Sequence, residues 1–126
     1  MHALRCLAKT ESDEDEIYCL VTRGGAGERS RIVVGGFDIG RELRPDSLLC
    51  DEPNLPSVKI TLMESDADEP AHGSDDFIGE ITVSAGGKCQ PGHGTLDEGI
   101  DESGRYRKFS MTGSGAHYMA QFEVFT

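Results

Sequence analysis

The sequence predicts an all-β protein, a single domain spanning residues 1–126 and folded as an antiparallel β-sandwich of seven to eight strands. Three observations support this prediction. Helical periodicity is almost absent, short segments alternate apolar and polar residues with a period of two, and glycine-rich turns separate those segments. At this length, one domain with one hydrophobic core is the ordinary arrangement.

Three strands are predicted in the first third of the chain. Segments 2–10 and 17–23 alternate throughout, and 32–34 is a short apolar run that ends at Gly35-Gly36. The residues predicted to face inward from the first two segments are Leu4, Cys6, Ala8, Ile17, Cys19 and Val21. The best helix candidate, 41–49, follows these strands, but Pro45 limits it to a turn or two.

Four further strands are predicted in segments 58–63, 77–83, 105–111 and 118–124. The clearest is 58–63, which places Lys59 and Thr61 on its outer face. The inward-facing residues predicted for these strands include Val58, Ile60, Leu62, Phe77, Ile81, Val83, Tyr118, Ala120, Phe122 and Val124. Segment 84–104 holds six glycines and is predicted to be a long, mobile loop.

Two acidic windows, residues 11–16 and 64–76, carry the whole formal net charge of −11. They hold eleven carboxylates and no Lys or Arg, whereas the remaining 12 acidic residues balance the 12 basic ones. Like charges crowded into short segments repel one another and destabilise a fold unless something offsets them. A hard cation with oxygen ligands does so, and calcium is the usual ion.

The second window continues the alternation of the strand that precedes it. The inward parity of segment 58–63 extends to Glu64, Asp66 and Asp68, so an extended chain would turn these carboxylates into one cavity. Both windows lie between predicted strands, and loops at one end of a sandwich converge. The sequence therefore predicts a metal site formed by acidic loops.

From Glu64 onward the chain resembles the third calcium-binding loop of the C2 domain, an eight-stranded β-sandwich. That loop runs from an apolar strand through Asp-x-Asp to a later Asp, two apolar residues and Gly. Glu64-Ser-Asp66 stands at the position of Asp-x-Asp, and Asp76-Phe77-Ile78-Gly79 matches the closing part of the loop. The first C2 calcium loop ends in Asp-Pro-Tyr, where this chain has Asp15-Glu16-Ile17-Tyr18. The chain also looks like small bacterial C2-like proteins with a Cys-containing first strand and a closing Tyr-x-x-x-Phe-x-Val strand.

This resemblance implies a C2-like sandwich whose two acidic windows bind calcium. The expected metal ligands are Asp13, Asp15, Glu16, Glu64, Asp66, Asp68, Asp75 and Asp76. Bound calcium would make this tip neutral or positive, and the tip would then contact an anionic membrane surface or a protein partner. Two alternatives stay open: a metal-independent structural or protein-interaction module with solvated acidic loops, and a hydrolase that acts through loop carboxylates.

Several other sites are disfavoured. An EF-hand is excluded because Asp66-x-Asp68 lacks the third ligand and the glycine that such a loop requires. Cys89 and His93 are too few for a zinc site, and the pairs at 97–98 and 101–102 are interpreted as turn residues. The histidines lie in no nucleophile motif, and aromatic residues are scarce, so we expect no enzyme. An isoelectric point near 4.6 argues against binding to nucleic acid, whose phosphates require a basic surface.

The expected compartment is reducing. The four cysteines, Cys6, Cys19, Cys50 and Cys89, show no paired spacing and are predicted to carry free thiols. The first dozen residues turn polar without the apolar region of a signal peptide, and no run approaches 18 apolar residues. We therefore expect a cytoplasmic protein as synthesised, with leaderless export open.

Overall fold

The part of the chain that the structure describes forms ten strands, arranged as two five-stranded antiparallel sheets that pack into a β-sandwich. The structure is a computed structural model that describes residues 1–9, 15–24, 29–45, 57–65, 75–84 and 87–123, with the backbone alone at residue 15. In chain order the strands are β1 (Ala3–Ala8), β2 (Asp15–Arg23), β3 (Arg29–Phe37), β4 (Glu42–Leu43), β5 (Ser57–Glu64), β6 (Asp76–Ser84), β7 (Lys88–Pro91), β8 (Thr95–Ile100), β9 (Arg107–Gly113) and β10 (Ala116–Phe122).

The chain divides its strands between sheets that we call I and II. Sheet I has the order β4-β1-β10-β9-β8, and sheet II has the order β3-β2-β5-β6-β7. The core lies between their facing surfaces, where the ring of Phe37 meets that of Tyr118 edge-on, with ring centroids 5.5 Å apart. Fully buried side chains on this interface include Leu4, Cys6, Ile17, Val21, Leu62, Ile78, Ile81, Phe109, Met111 and Tyr118.

Alternation predicts most of the inward positions correctly. Ile17, Cys19 and Val21 of β2 are at most 1% exposed, and Leu4 and Cys6 of β1 are fully buried. The same parity holds for Ile60 and Leu62 in β5, and for Tyr118, Ala120 and Phe122 in β10. In these strands the inward positions are buried and most outward positions are more exposed, which is the condition under which period two is informative. Val124 lies outside the described residues.

Segment 84–104 was predicted as a loop, and that prediction is wrong for most of it. β7 extends sheet II by pairing with β6, and β8 extends sheet I by pairing with β9. Gly87, Gly94 and Gly99 have φ values of +78°, +75° and +89°. Glycine adopts this left-handed conformation at little cost, so these glycines mark turns and a bulge between short strands.

The predicted number of seven to eight strands is also too low. The described residues form ten, and one of the unpredicted strands is β4. It lies inside the helix candidate 41–49 and pairs with β1 through Leu4 and Leu43. β4 pairs with only two residues of β1, Leu4 and Arg5, and Pro45 opposes a longer helix. Positions 46–49 of the helix candidate lie outside the described residues.

A bulge changes the parity of β6. Leu62 pairs with Gly79 and Met63 pairs with Phe77, so Ile78 is the extra residue. Ile78 is therefore fully buried, and Phe77, which was predicted to face inward, is only partly buried and lies near the ring of His93. The bulge falls where the second acidic window returns to the sheet.

Candidate metal site

Both acidic windows meet sheet II at the same end. β2 begins at Asp15, β5 ends at Glu64 and β6 begins at Asp76, and these three strands are neighbours. Antiparallel pairing places Ile17 opposite Glu64 and Glu64 opposite Asp76. We call this part of the molecule the acidic end. The two windows, which are 47 residues apart in sequence, therefore have their described flanks side by side.

A backbone hydrogen bond joins the two windows directly. The N–H of Ser65 donates to the carbonyl oxygen of Glu16 over 2.8 Å. The pairing of β2 with β5 thus continues one residue past the end of β5. The direction in which the second window leaves the sheet is fixed by the first residues of β2.

Glu64 is the buried carboxylate of this end. It is 2% exposed and shares the inward face of β5 with Ile60 and Leu62, as alternation predicts. Asp76 lies directly opposite Glu64 in the ladder. Like charges at directly opposed positions of an antiparallel pair destabilise a sheet, typically by a few tenths of a kcal/mol to about 1 kcal/mol. Burial of one member reduces the screening by water and favours a counter-charge here.

Asp75 is held by the outer face of the sheet. The Tyr18 hydroxyl donates a hydrogen bond to Oδ2 of Asp75, and the guanidinium carbon of Arg31 lies 3.9 Å from the centroid of the Tyr18 ring. Burial, followed by the hydrogen bond to Asp75 and the negative charge of that residue, raises the pKa of Tyr18 to about 12. The hydroxyl therefore keeps its proton at neutral pH and acts as a donor.

A shallow depression of about 310 Å³ opens beside this hydrogen bond on the outer face of sheet II. Gly35 and Gly36 contribute no side chains to it, which leaves a notch between β2 and β3. Its wall includes Arg31, Ser65 and the exposed side chain of Val33, which has 70% of its surface accessible. The depression adjoins the acidic end but presents one carboxylate, that of Glu16.

The eight predicted ligands have different positions relative to the described structure. Glu64 is buried, Asp75 and Asp76 are half-buried, and Glu16 is exposed. Asp15 begins β2, and only its backbone is described. Three predicted ligands lie outside the described residues, namely Asp13, Asp66 and Asp68. Within the described ranges, no group of three or more His, Cys, Asp or Glu residues is placed to hold a metal ion.

Gly79, the last residue of the segment that resembles a C2 loop, lies where β6 packs closely against sheet I. A Cβ atom added there would lie 2.7 Å from Thr95 Oγ1 and 2.8 Å from Met111 Cβ, so β6 contacts sheet I without a side chain. Thr95 Oγ1 also accepts a hydrogen bond from the N–H of Glu80 over 3.0 Å. On the next turn, Ser114 Oγ donates to the carbonyl of Phe77 over 3.0 Å. These contacts fix the start of β6, and with it Asp75 and Asp76.

The three cysteines among the described residues lie away from this end or deep in the core. Cys6 and Cys19 are buried free thiols, and Cys89 is a half-buried free thiol on β7. Burial raises the pKa of Cys19 to about 12 and also raises that of Cys89. The thiols of Cys19 and Cys89 therefore stay protonated at neutral pH. Cys50 lies outside the described residues.

The acidic pairs in 97–102 serve local structure. Asp97 accepts a hydrogen bond from the N–H of Gly99 and forms an ion pair with Arg107. Asp101 accepts from Ser103 Oγ over 2.6 Å, a contact that lowers its pKa, and its backbone N–H donates to the carbonyl of Tyr106. Asp101 acts as the turn residue that the sequence predicted, whereas Asp97 belongs to β8.

Two side-chain contacts in the structure were not predicted from the sequence. One is the Tyr18–Asp75 hydrogen bond, which joins residues 57 positions apart. The other is a contact of 2.6 Å between Ser110 Oγ and His117 Nε2, so His117 has a serine neighbour although no nucleophile motif surrounds it in the sequence. Register explains the second one. Ser114 and Gly115 have φ values of +52° and +80° and form a two-residue turn, which makes Ser110 and His117 diagonal neighbours on β9 and β10. A Ser-Gly turn in the sequence is the signal from which this register could be inferred.

Comparison with family models, curated proteins and solved structures finds no match. Among the described residues there is no helix long and apolar enough to cross a membrane.

Proposed function

We propose that this chain is a C2-like, calcium-binding β-sandwich module. Calcium would bind at the acidic end, and the neutralised end would contact an anionic membrane surface or a protein partner. The ligands would come from both acidic windows. The proposed set is Asp13, Asp15, Glu16, Glu64, Asp66, Asp68, Asp75 and Asp76.

One observation carries this proposal: the first residues of β2, the last of β5 and the first of β6 lie side by side. Ile17 faces Glu64 across one ladder and Glu64 faces Asp76 across the next. Calcium takes six to eight oxygen ligands, more than one short loop normally supplies. Two acidic windows that leave neighbouring strands at one end can supply such a number between them.

Electrostatics supports the same proposal. Glu64 is 2% exposed and opposes Asp76, and the sequence of the first window holds a further five carboxylates. Repulsion among these groups opposes folding in the absence of a cation. A divalent oxygen-bound ion offsets this repulsion, and the carboxylates present are the hard ligands that calcium prefers.

The alternative is a metal-independent interaction or structural module whose acidic end docks a basic partner. One observation favours this alternative. Within the described ranges, no three Asp, Glu, His or Cys side chains are placed together to hold a metal ion. In that alternative the acidic side chains remain hydrated, and their repulsion is relieved by salt rather than by a specific ion.

Thermal unfolding with and without calcium tests the proposal. At a free calcium concentration 100–1,000 times the dissociation constant, we expect a stabilisation of roughly 2–4 kcal/mol by mass action, and hence a rise in Tm of several degrees. The reference sample contains a chelator, and a third sample contains magnesium, which demands stricter octahedral geometry and should stabilise less.

A matched salt control separates specific binding from general screening. Sodium chloride at the same ionic strength should raise Tm less than calcium does, because screening acts on every exposed carboxylate alike. Equal Tm values in calcium and in chelator would contradict the proposal. Equal effects of calcium and sodium chloride would favour the metal-independent alternative.

A further inference from the structure

We propose that β3 binds an extended, acidic segment of a partner protein as an added antiparallel strand. β3 is an outer strand of sheet II, and residues 29–33 are the part of it that would pair with the segment. The carboxylates of the segment would face Arg29 and Arg31. Arg29 pairs with Thr22, near the end of β2 that is remote from the acidic end, so this surface and its test do not depend on calcium.

The outer strands of the two described sheets differ in how well they can accept another strand. β4 has two residues, β7 has four and ends at Pro91, and β8 is interrupted by a bulge between Asp97 and Gly99. Short length, proline and bulges all oppose the addition of a strand. β3 has nine residues, and its pairing with β2 is regular from Arg29 to Val33. Among the described outer strands, β3 therefore has the longest regular edge.

The backbone bonds of β2 show which groups of β3 point outward. The N–H of Ser65 donates to the carbonyl of Glu16, and the N–H of Gly24 donates to the carbonyl of Ser57. The even-numbered residues at both ends of β2 thus bond toward the β5 side. Because the direction of the backbone groups alternates along a strand, the odd-numbered residues of β2 bond toward β3.

Open backbone groups and exposed side chains coincide on β3. Ser30 and Ile32 pair with two odd-numbered residues of β2, so they form the backbone bonds of that ladder. Their neighbours Arg29, Arg31 and Val33 therefore direct their N–H and C=O groups away from β2. The same three residues are exposed, and Val33 has 70% of its surface accessible. An added strand would bond to these three backbone positions and contact these three side chains.

Charge determines which strand fits this edge. If a second copy of β3 paired antiparallel along the whole of 29–33, Arg31 would lie opposite Arg31, and a shifted register would reach the bulge at Val34. Like charges at directly opposed positions destabilise a pair of strands, whereas opposite charges stabilise it. A segment with carboxylates at two alternate positions matches Arg29 and Arg31. Alternate side chains are also what gives strand addition its specificity.

A synthetic peptide tests the proposal. The probe is acetyl-Thr-Val-Thr-Glu-Thr-Glu-Thr-amide, whose valine and two glutamates would lie opposite Val33, Arg31 and Arg29. Amide hydrogen exchange of the full chain is followed by NMR, with and without an excess of peptide. We expect the peptide to slow exchange at these three amides and to change it little at Ser30 and Ile32, which already bond to β2. Absence of this alternating protection would overturn the proposal.

N-methylated peptides show whether the backbone of the probe bonds to β3 while the protein stays unchanged. The N–H of the first glutamate would donate to β3, so its N-methylation should weaken binding by about fivefold or more, the usual effect of losing one hydrogen bond. The N–H of the threonine between the glutamates would point away from β3. Its N-methylation is the matched control and should have little effect. Equal losses for the two peptides would contradict strand addition.

A pair of charge reversals separates edge binding from general attraction. Arg29 and Lys59 are exposed and oppose Thr22 from its two sides, but only Arg29 lies on the edge strand. Arg29→Glu should weaken peptide binding by about fivefold and Lys59→Glu by less than about twofold. Equal losses would show that this face attracts any anion, an anionic lipid surface included, and would overturn the proposal. Alternating protection in concentrated protein without peptide would instead identify a second copy as the occupant and would also overturn it.

Discussion

At Gly79 the two sheets approach so closely that no side chain fits. An added Cβ would lie 2.8 Å from Met111 Cβ and 2.7 Å from Thr95 Oγ1. This residue also closes the segment that resembles a C2 calcium loop, so the same position links sandwich packing to the acidic end. In the sequence Gly79 is only the last residue of that match, and the packing of β6 against sheet I gives the physical reason for a glycine at this position.

Gly79→Ala should destabilise the fold by about 2 kcal/mol or more, because the new methyl group overpacks a rigid interface. Gly104→Ala is the control. Nothing lies within 4 Å of its added Cβ, so that change costs only the left-handed backbone conformation, roughly 1 kcal/mol. Urea denaturation measures both, and equal losses for the two variants would contradict the packing explanation.

Cys19 gives the fold a dependence on alkaline pH. Burial raises the pKa of its thiol from 9.0 to about 12, so between these values the folded state keeps a proton that the unfolded chain releases. Its contribution is fully present below pH 9 and declines by about 1.4 kcal/mol per pH unit as the pH rises toward 12.

Cys19→Ala should therefore flatten the fall of unfolding free energy across that alkaline range, as measured by urea denaturation at several pH values. Cys89→Ala is the comparison, because Cys89 is only half-buried and should change the slope less. Identical slopes for the wild type and Cys19→Ala would show that the buried thiol does not contribute.

At the scale of elements, the sequence predicts strands well where one face is dry. The alternation in β1, β2, β5 and β10 survives in the structure because each of these strands turns one side to the core. β6 departs from it because the bulge residue, Ile78, is as apolar as its neighbours, and nothing in the sequence marks it as extra. β7 and β8 were not predicted, because the glycines that flank them are also typical of a loop. Only the turn geometry shows that these glycines separate short strands.

The β9–β10 hairpin offers a test at this scale. Ser110→Ala removes the hydroxyl that contacts His117 Nε2 at 2.6 Å, and the serine is only 6% exposed. We expect a loss of about 1 kcal/mol, the usual contribution of such a hydrogen bond. Thr112→Ala, at an exposed position on the same strand, should change stability by less than about 0.5 kcal/mol. A smaller loss for Ser110→Ala than for Thr112→Ala would contradict this account.

At the scale of the whole molecule, topology determines how the charge is distributed. Sheet II places β5 between β2 and β6, and this order alone brings both acidic windows to one end. Composition and spacing predicted the windows and the inward parity of Glu64. The order of strands could not be inferred from local patterns, because it depends on pairings between segments far apart in sequence. The same limitation hid the contact between Tyr18 and Asp75.

We propose that the two acidic windows share one calcium site. Calorimetric calcium titration of Asp15→Asn, Asp66→Asn and the double variant tests it most directly, since Asn keeps the shape of each side chain and removes its charge. We expect each single change to weaken the same binding event. The double variant should lose less binding free energy than the sum of the two single losses, because either loss already disables the shared site. Unchanged affinity in Asp15→Asn would contradict the shared site. If every carboxylate-to-amide change instead caused a small, salt-sensitive loss of calcium affinity, calcium would be attracted by the overall negative charge and not by a specific site.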